Sequence, residues 1–410
     1  THRRARALAA RLTGLRRQEL GAAVAGVEDL AARGLLTVSR MPAAFLTLQR
    51  NAEFWPERSF PRPPQPSRRP CAGAAGLGGA RVTFEGDPVI FQWYAGQGLQ
   101  IQPLANFGKA NALWREGEAE ALRALLDRML ALGAQRGSFL AWEYAFAFGG
   151  GRAPWISGLA QGTGIQALTR GAELLDEPRY LAAARRALGA FEAAPPLGVR
   201  VRESGGSHYL IYSYAPGLRV LNGFLQALVG LFEHAEATGD RRAQRLFAAG
   251  DRAARRAVPR FDTGAWSLYS AGGRESDLGY HRLVRDFLRS LCERTRAGVY
   301  CSTERRFTRY LGEPTRLALP PLPRVRAGAT ASLRFTLSKV SCVLLTVRRT
   351  DAPGRIVHRA TLVLGRGGHA LPFRPLGAGE YLVEVEARDL VDHRTRLATT
   401  LVTRPRRARG

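Results

Sequence analysis

Residues 216–239 read PGLRVLNGFLQALVGLFEHAEATG, and this stretch has the clearest helical pattern in the chain. Its large apolar residues recur at helical spacing: Leu221, Phe224, Leu225, Leu228 and Phe232. A period of 3.6 residues places them on one face of an amphipathic helix. Pro216 suits the first helical turn, and Gly239 is the residue type that most often ends a helix. The stretch therefore predicts one long helix with a buried face.

The same pattern occurs sixty residues earlier. Gln166-Ala167-Leu168 with Glu173 matches Gln226-Ala227-Leu228 with Glu233. After each copy comes a short break, at residues 176–178 and 239–240, and then a second helical pattern. Repeated helical hairpins predict a solenoid or a closed α/α barrel, a toroid of hairpins. A chance match between Ala- and Leu-rich helices is the alternative.

Outward from this repeat, the hydrophobic pattern predicts the domains. Helical periodicity extends from about residue 106 to 310, and strand-and-loop patterns precede it over 81–102. Residues 4–36 read as an Arg-rich helix that Gly34 would end, and the proline-rich run over 55–70 excludes regular structure there. The predicted segments are a helical segment at 1–54, a Pro-rich linker at 55–80, the barrel domain at 81–310, a second linker at 311–327 and a β-sandwich at 328–404.

The last segment is distinguished by a period of two. Leu333, Phe335 and Leu337 alternate with polar residues, as do Tyr381 and Val383. Five to seven strands in about eighty residues are typical of an immunoglobulin-like sandwich. The fold class is therefore mainly α, with a C-terminal immunoglobulin-like β-sandwich.

Charge narrows the partner classes. The chain has 61 basic and 34 acidic residues, a formal charge of +27, and no apolar run long enough for a membrane span. Such a charge attracts polyanions, although a generic Arg-rich surface would give the same composition. Nucleic acid is possible as a partner, but no nucleic-acid-binding motif is present, so no specific nucleic acid is expected. An anionic polysaccharide fits the motifs described below better. A homodimer is one possible assembly of the chain.

The cysteines and the N-terminus bear on metal binding, disulfides and the cellular compartment. The four cysteines lack CxxC spacing, so no zinc site is expected, and we expect no metal or cofactor. Cys292 and Cys301 fit either a disulfide in an oxidising compartment or two buried thiols. No signal peptide is predicted after Thr1, and an exported or cell-surface bacterial protein is one possibility for the compartment.

Six segments are denser in Tyr, Trp, Gln and Asn than packing requires. They are residues 94–103, 142–144, 154–162, 212–224, 262–269 and 280–281. Most lie near predicted helix ends, which converge on one mouth in an α/α barrel. A sugar there can stack on aromatic rings and hydrogen-bond to amides.

In this order, the segments resemble the C-terminal domain of D-glucuronyl C5-epimerases, in a bacterial-type homologue. These enzymes convert glucuronate to iduronate within heparan-type chains. The resemblance covers residues 82–310, and its most specific parts are Ala160-Gln161-Gly162, the block at 216–224, Asp262-Thr263-Gly264 and Tyr280-His281. It implies that Tyr212, Tyr269 and Tyr280 are the acid/base residues. The expected substrate-binding residues are Tyr94, Gln102, Trp142, Glu143, Trp155, Gln161, Arg219, Asn222 and His281.

Elementary chemistry agrees with the resemblance. Epimerisation removes a proton alpha to a carboxylate and returns one to the other face, so two groups are required. Tyrosine has a pKa of about 10 and needs a nearby cation to act as a base. Arg219, Arg274 and Arg282 are candidates by sequence proximity. We therefore expect the three hydroxyls in one positive cleft, with Trp155, Gln161 and Asn222 in its wall.

Two other functions fit the same residues. A polysaccharide lyase shares the proton abstraction and then expels the C4 substituent. A non-catalytic glycan-binding protein would keep the groove without the chemistry. Leu210-Ile211 stands where animal epimerases have two glutamates, and Ser270-Ala271-Gly272 stands where Asp-Leu-Arg is expected.

Overall fold

The computed structural model describes residues 1–57 and 79–405, which divide into two compact units. Within these ranges the first unit ends at Val258 and the second begins at Pro259. Most of the predicted linker at 55–80 lies outside the described residues. Among the described residues, no helix is long and apolar enough to cross a lipid bilayer.

The first unit is mainly helical. Its helices are α1 (His2–Arg11), α2 (Gly14–Ala32), α3 (Met41–Glu57), α4 (Pro103–Glu116), α5 (Ala119–Ala131), α6 (Gly158–Leu175), α7 (Pro178–Ala187), α8 (Leu221–Thr238) and α9 (Arg241–Ala257). Its strands are β1 (Arg81–Phe84), β2 (Asp87–Tyr94), β3 (Gly98–Ile101), β4 (Ala134–Arg136), β5 (Phe139–Ala141), β6 (Arg200–Glu203) and β7 (Gly206–Tyr209). They form one antiparallel sheet, β1-β2-β3, and two hairpins. The strand-and-loop prediction for 81–102 is confirmed.

The N-terminal prediction needs two corrections. The single helix expected over 4–36 is two helices, because Leu12 and Thr13 are extended and Gly14 has a φ of 57°. Helix α3 also continues through Trp55 and Pro56, where we expected no regular structure. The Trp55 indole is fully buried and donates to Asn51 Oδ1 one turn earlier at 2.8 Å, which holds this last turn.

The sequence repeat corresponds to two helical hairpins, α6–α7 and α8–α9, and this prediction is confirmed. The two repeated glutamines bond to each other across α6 and α8, with Gln226 Nε2 donating to Gln166 Oε1 at 2.9 Å. Gly239 ends α8 with a φ of 67°. Pro216 lies in the preceding loop and not in the first turn, because the backbone is still extended at Val220.

Helices α6 and α8 pack backbone to backbone. A Cβ placed on Gly230 would lie 2.1 Å from the carbonyl oxygen of Gly162, and one on Gly162 would lie 2.6 Å from Ala227 Cα. No side chain fits at either position. This close crossing places the N-terminal part of α6 against the middle of α8.

The second unit contains two helices, α10 (Leu278–Thr295) and α11 (Gly298–Gly312), joined by a Cys292–Cys301 disulfide. Its strands are β8 (Leu317–Ala318), β9 (Val325–Arg326), β10 (Ala331–Leu337), β11 (Ser341–Arg349), β12 (Ala352–Leu364), β13 (Gly367–Phe373), β14 (Gly379–Asp389) and β15 (Arg394–Arg404). They form two sheets, in the orders β13-β10-β8 and β12-β11-β14-β15-β9. The predicted linker at 311–327 thus contributes two short strands.

The period-two pattern marks the buried faces of these sheets. Leu333 and Phe335 of strand β10 share a single core with residues of β11 and β14 in the other sheet, among them Val343, Val383 and Val385. The residues that alternate with them along β10 and β14 are more exposed. The alternation therefore identified the core correctly.

A buried lysine connects the helices of the second unit to its sheets. Lys339 Nζ donates to the carbonyl oxygens of Tyr310 at 3.0 Å and Glu313 at 2.5 Å, and lies 2.9 Å from Asp389 Oδ2. Burial alone would raise the pKa of Asp389, but the hydrogen bond and charge of Lys339 lower it. The carboxylate therefore stays ionised and compensates the lysine inside the unit.

Candidate active site

Seven aromatic side chains of the first unit form one contiguous group, here called the aromatic cluster. Its members are Tyr94, Tyr144, Phe146, Phe148, Trp155, Tyr212 and Tyr214. They come from the end of β2, the connection between β5 and α6, and the connection between β7 and α8. Three parts of the chain that are far apart in sequence therefore meet at one place.

Trp155 lies at the centre of the aromatic cluster. Its ring stacks on Tyr144 with centroids 4.0 Å apart and meets Tyr212 edge-on at 5.5 Å. Tyr212 in turn stacks on Tyr214, with ring planes only 6° from parallel. Trp155 Nε1 donates to the carbonyl oxygen of Phe146 at 2.8 Å. Trp155 and Tyr144 are buried, so the ring faces on which a pyranose could stack are those of more exposed members such as Phe148 and Tyr212.

Gln102 adds a polar centre to these rings. Its Nε2 donates to the Tyr94 hydroxyl at 2.9 Å, and its Oε1 accepts from the Tyr144 hydroxyl at 3.0 Å. Burial raises the pKa of Tyr94 to about 12 and raises the pKa of Tyr144 well above its usual value. Both phenols therefore stay protonated at neutral pH, so neither suits the role of a base.

Of the predicted binding residues, the structure brings Tyr94, Gln102 and Trp155 together with Tyr212. Sequence reasoning missed four members of the cluster as site residues: Tyr144, Phe146, Phe148 and Tyr214. The first three alternate at spacing two, which places them on one side of an extended chain. That alternation was the available signal.

Other predicted binding residues of this unit have protein partners. Glu143 forms buried ion pairs with Arg40 and Arg136, both at 2.6 Å. Arg219 pairs with Glu203 at 2.8 Å. The buried indole of Trp142 donates to a main-chain carbonyl oxygen of α5 at 2.7 Å. Each of these contacts anchors a loop or helix of the first unit.

Gln161 and Asn222 lie near the N-terminal ends of α6 and α8, and both are buried. Gln161 Nε2 donates to the carbonyl oxygen of Trp142 at 2.9 Å. Gln161 Oε1 and Asn222 Oδ1 have no hydrogen-bond partner within 1–57 and 79–405. A buried acceptor without a hydrogen-bond donor costs free energy, and a bound ligand would be one source of such donors. The role of Gln161 and Asn222 in substrate binding stays a prediction.

The second unit contains the other two predicted catalytic residues. The rings of Tyr269 and Tyr280 are 4.8 Å apart at their centroids, and Arg274 Cζ lies 5.7 Å from the centre of the Tyr269 ring. Arg274 is thus beside Tyr269, as its sequence position suggested. Because Tyr212 belongs to the first unit, the shared cleft for all three hydroxyls stays a prediction.

His281 is part of the core of the second unit. Its ring stacks on Trp266 at 3.7 Å, Nε2 contacts the Phe307 carbonyl oxygen at 3.0 Å and Nδ1 contacts Ser267 Oγ at 2.8 Å. Burial lowers its pKa to about 4. Among the described residues, no three His, Cys, Asp or Glu side chains are grouped to hold a metal ion.

Known proteins resemble part of this chain. Residues 135–309 match the family model described as D-glucuronyl C5-epimerase C-terminus. A D-glucuronyl C5-epimerase from Caenorhabditis elegans is 34% identical over 128 residues, which are 28% of this chain and 21% of that protein. An uncharacterized protein from Methanocaldococcus jannaschii is 28% identical over 176 residues, covering 40% of this chain and 55% of that one. The chain thus spans about a fifth of the first relative and about half of the second.

Among solved structures, a cellobiose 2-epimerase from Bacillus thermoamylovorans aligns with a TM-score of 0.35 at 13% identity, covering 51% of this chain and 58% of that chain. The matched family segment includes α6 to α10, most of α11, and all three predicted catalytic tyrosines. Residues 135–309 of this chain are therefore similar to the C-terminal domain of the D-glucuronyl C5-epimerase family.

Proposed function

We propose that this protein is a carbohydrate epimerase that inverts C5 of glucuronate residues in an anionic polysaccharide. The observation that carries the proposal is the family match over residues 135–309, which contains Tyr212, Tyr269 and Tyr280. Support comes from the more exposed part of the aromatic cluster, where Phe148 and Tyr212 offer ring faces for a sugar.

In this proposal the three tyrosines supply the acid and base groups. A base removes the C5 proton, the electron pair moves onto the adjacent carboxylate, and an acid returns a proton to the opposite face of C5. The intermediate carries extra negative charge on that carboxylate, so cationic groups have to stabilise it. Arg274 beside Tyr269 is our candidate for one such group. The Tyr94 and Tyr144 phenols, which stay protonated, hold the Gln102 amide between them.

Two finer fold assignments belong to the same proposal. We propose that the hairpins α6–α7 and α8–α9 are part of an α/α barrel, in which α6 and α8 are neighbouring inner helices joined by the Gln166–Gln226 contact. We also propose that the two C-terminal sheets are an immunoglobulin-like sandwich. Their shared core and mostly antiparallel strand pairs support this assignment.

The test is isotope exchange at C5. Incubating the protein in D₂O with a polymer of alternating glucuronate and N-acetylglucosamine should place deuterium at C5, detected by mass spectrometry. Tyr212→Phe, Tyr269→Phe and Tyr280→Phe should each lower that rate by roughly 100-fold or more. Absence of deuterium at C5 in the wild-type protein would refute the epimerase.

Two buried tyrosines outside the candidate site provide matched controls. The Tyr209 hydroxyl donates to the Leu246 carbonyl oxygen at 2.7 Å, and the Tyr381 hydroxyl donates to the Gly377 carbonyl oxygen at 2.9 Å. Tyr209→Phe and Tyr381→Phe remove the same atom without touching a predicted catalytic group. Both variants should therefore retain the wild-type rate of exchange.

One observation favours a second candidate, a glycan-binding protein without catalysis. Leu210 and Ile211, where animal epimerases have glutamates, are buried, with exposures of 0% and 5%. A Cβ on Gly223 would lie 3.1 Å from Ile211, so Ile211 is packed against the start of α8. Polymer binding without C5 exchange would identify this function. An ultraviolet-absorbing unsaturated product would instead identify a lyase.

A further inference from the structure

A groove with a volume of ≈ 550 Å³ lies beside the aromatic cluster in the first unit. Its lining includes Pro195, Pro196, Arg200, Arg202, Tyr214 and Pro216. One wall is thus strand β6 with the segment before it, and the other is the loop after β7. The family resemblance assigns no role to these residues.

The groove walls are held in place by buried contacts. Arg136 donates from Nη2 to the Pro196 carbonyl oxygen at 2.8 Å and from Nε to the Leu197 carbonyl oxygen at 2.7 Å. Strand β6 is fixed by its pairing with β7, in which Arg200 is opposite Tyr209. A ligand would therefore meet a preformed surface, which avoids the ordering cost of a mobile loop.

The groove is positively charged. Arg200 and Arg202 are two positions apart on a strand, so both project to the same side, with Cα atoms about 7 Å apart. Within the described part of the chain, neither arginine forms an ion pair or a side-chain hydrogen bond. The nearby acidic groups have other partners: Glu203 pairs with Arg219 at 2.8 Å, and Glu192 pairs with an arginine of α9 at 2.6 Å. Arg200 also lies close enough to Glu192 to help lower the pKa of that carboxyl, but the hydrogen bonds of Glu192 go to α9. The hydrogen-bond donors of Arg200 and Arg202 thus remain available for an anion.

The groove shares a wall with the aromatic cluster. Tyr214 lines the groove and also stacks on Tyr212, with centroids 5.4 Å apart. Gly151 fixes the Tyr214 ring from one side, because a Cβ there would lie 2.3 Å from the ring. A sugar chain that stacks at Tyr212 would therefore continue along Tyr214 into the groove.

We infer that this groove is a binding subsite for an acidic sugar of the polymer, recognised by Arg200 and Arg202 through its carboxylate or sulfate group. Guanidinium groups bind such planar or tetrahedral oxyanions with paired hydrogen bonds, which a neutral sugar cannot accept as strongly. The subsite holds a residue of the chain other than the one that reacts. The inference rests on the proposed function for its choice of polymer.

The test compares binding of two matched oligosaccharides by isothermal titration calorimetry at a fixed, near-physiological salt concentration. One is an oligosaccharide of alternating glucuronate and N-acetylglucosamine, and the other is the same oligosaccharide with its carboxyl groups reduced to alcohols. Arg200→Gln/Arg202→Gln should raise the Kd for the acidic oligosaccharide at least roughly tenfold, since two charge-assisted contacts are lost. The Kd for the reduced oligosaccharide should change less than about twofold, because its alcohols make no charge-assisted contact with these guanidinium groups.

The control is Arg115→Gln/Arg241→Gln, which removes the same charge from exposed positions on α4 and α9. An equal loss of affinity in this control would show a general charge effect and overturn the subsite. An unchanged Kd in the groove variant, or no binding of the acidic oligosaccharide by the wild-type protein, would also overturn it. Deuterium exchange at C5 by the wild-type protein reports on the proposed function separately, so failure of one proposal is distinguishable from failure of the other.

Discussion

The indole of Trp155 lies flat on the phenol ring of Tyr144, with ring planes 3° from parallel. The backbones of the two residues also pair, with Tyr144 N donating to Trp155 O at 2.8 Å and Trp155 N donating to Tyr144 O at 3.2 Å. The intervening loop is thus closed at its base by both main chain and side chains. This pair is the rigid part of the aromatic cluster, and Tyr212 is positioned against it.

Trp155→Ala should therefore lower the free energy of unfolding by about 3–5 kcal/mol, because it removes a buried aromatic ring and leaves a cavity. Urea denaturation followed by far-ultraviolet circular dichroism would measure this loss. Trp114→Ala is the control, since Trp114 is half-buried and packs against the Arg170 guanidinium, and its loss should be smaller. Equal losses in the two variants would contradict the structural role of the stack.

Gly230→Ala should be destabilising by about 1–3 kcal/mol or more, because the new methyl group would meet the backbone of Gly162 at 2.1 Å. The clash is with main chain, so α6 and α8 would have to separate. Gly108→Ala in α4 is a matched control with nothing within 4 Å of the added Cβ. It should stabilise the protein by about 0.4–1 kcal/mol. Thermal melts of both variants would show whether the two changes in stability have opposite signs.

The burial of His281 predicts a pH dependence for the stability of the second unit. Its pKa is lowered by burial to about 4, whereas an unfolded histidine titrates near 6.5. Between these values the unfolded chain binds a proton that the folded unit does not. Stability is therefore complete above about pH 6.5 and falls as the pH drops towards 4, by about 3 kcal/mol in total.

Calorimetric unfolding between about pH 7 and pH 4 would measure this dependence. His281→Gln removes the titrating group, so the slope of stability against pH should become shallower in that range. If the slope is the same with and without the imidazole, another group is responsible.

The Cys292–Cys301 disulfide closes a short loop between α10 and α11. The double variant Cys292→Ser/Cys301→Ser should lose about 2–3 kcal/mol of stability, because the unfolded chain gains the freedom of an open loop. Guanidinium denaturation with and without dithiothreitol would test this. The reductant should destabilise the wild-type protein more than the double variant, and an equal shift in both would contradict the stabilising role of this disulfide.

The sequence predicted the helical repeat and the alternating core of the sheets, because both depend on periodicity within a single segment. The Gln166–Gln226 contact confirms that the repeated motif marks equivalent positions in two hairpins. The ends of helices were harder to predict. The extended backbone at Thr13 divides a segment that we expected to be one helix. Pro56 lies inside α3, although we expected the prolines to prevent regular structure there.

The candidate site could be predicted only in part. Tyr94, Trp155 and Tyr212 were identified by residue type and meet in one cluster. Arg200 and Arg202 were not, since a strand with two arginines resembles any exposed strand of so basic a chain. Whether an arginine is paired depends on which carboxylates the fold brings near it, and a linear pattern does not contain that information.

Lys339 has a consequence for how such proteins can be assembled by recombination. The ammonium group is buried against the carbonyl oxygens of Tyr310 and Glu313, while its carboxylate partner, Asp389, belongs to strand β14. Glu275, which precedes α10, adds two more links of this kind, because its carboxylate accepts from two backbone N–H groups of the sheet region. The two C-terminal sheets transferred to another gene without the segment 275–313 would keep the Lys339–Asp389 pair, but they would lose the carbonyl acceptors of Lys339 and the carboxylate of Glu275. The heritable module is therefore the helical hairpin and the two sheets together, and lineages should gain or lose them as one piece.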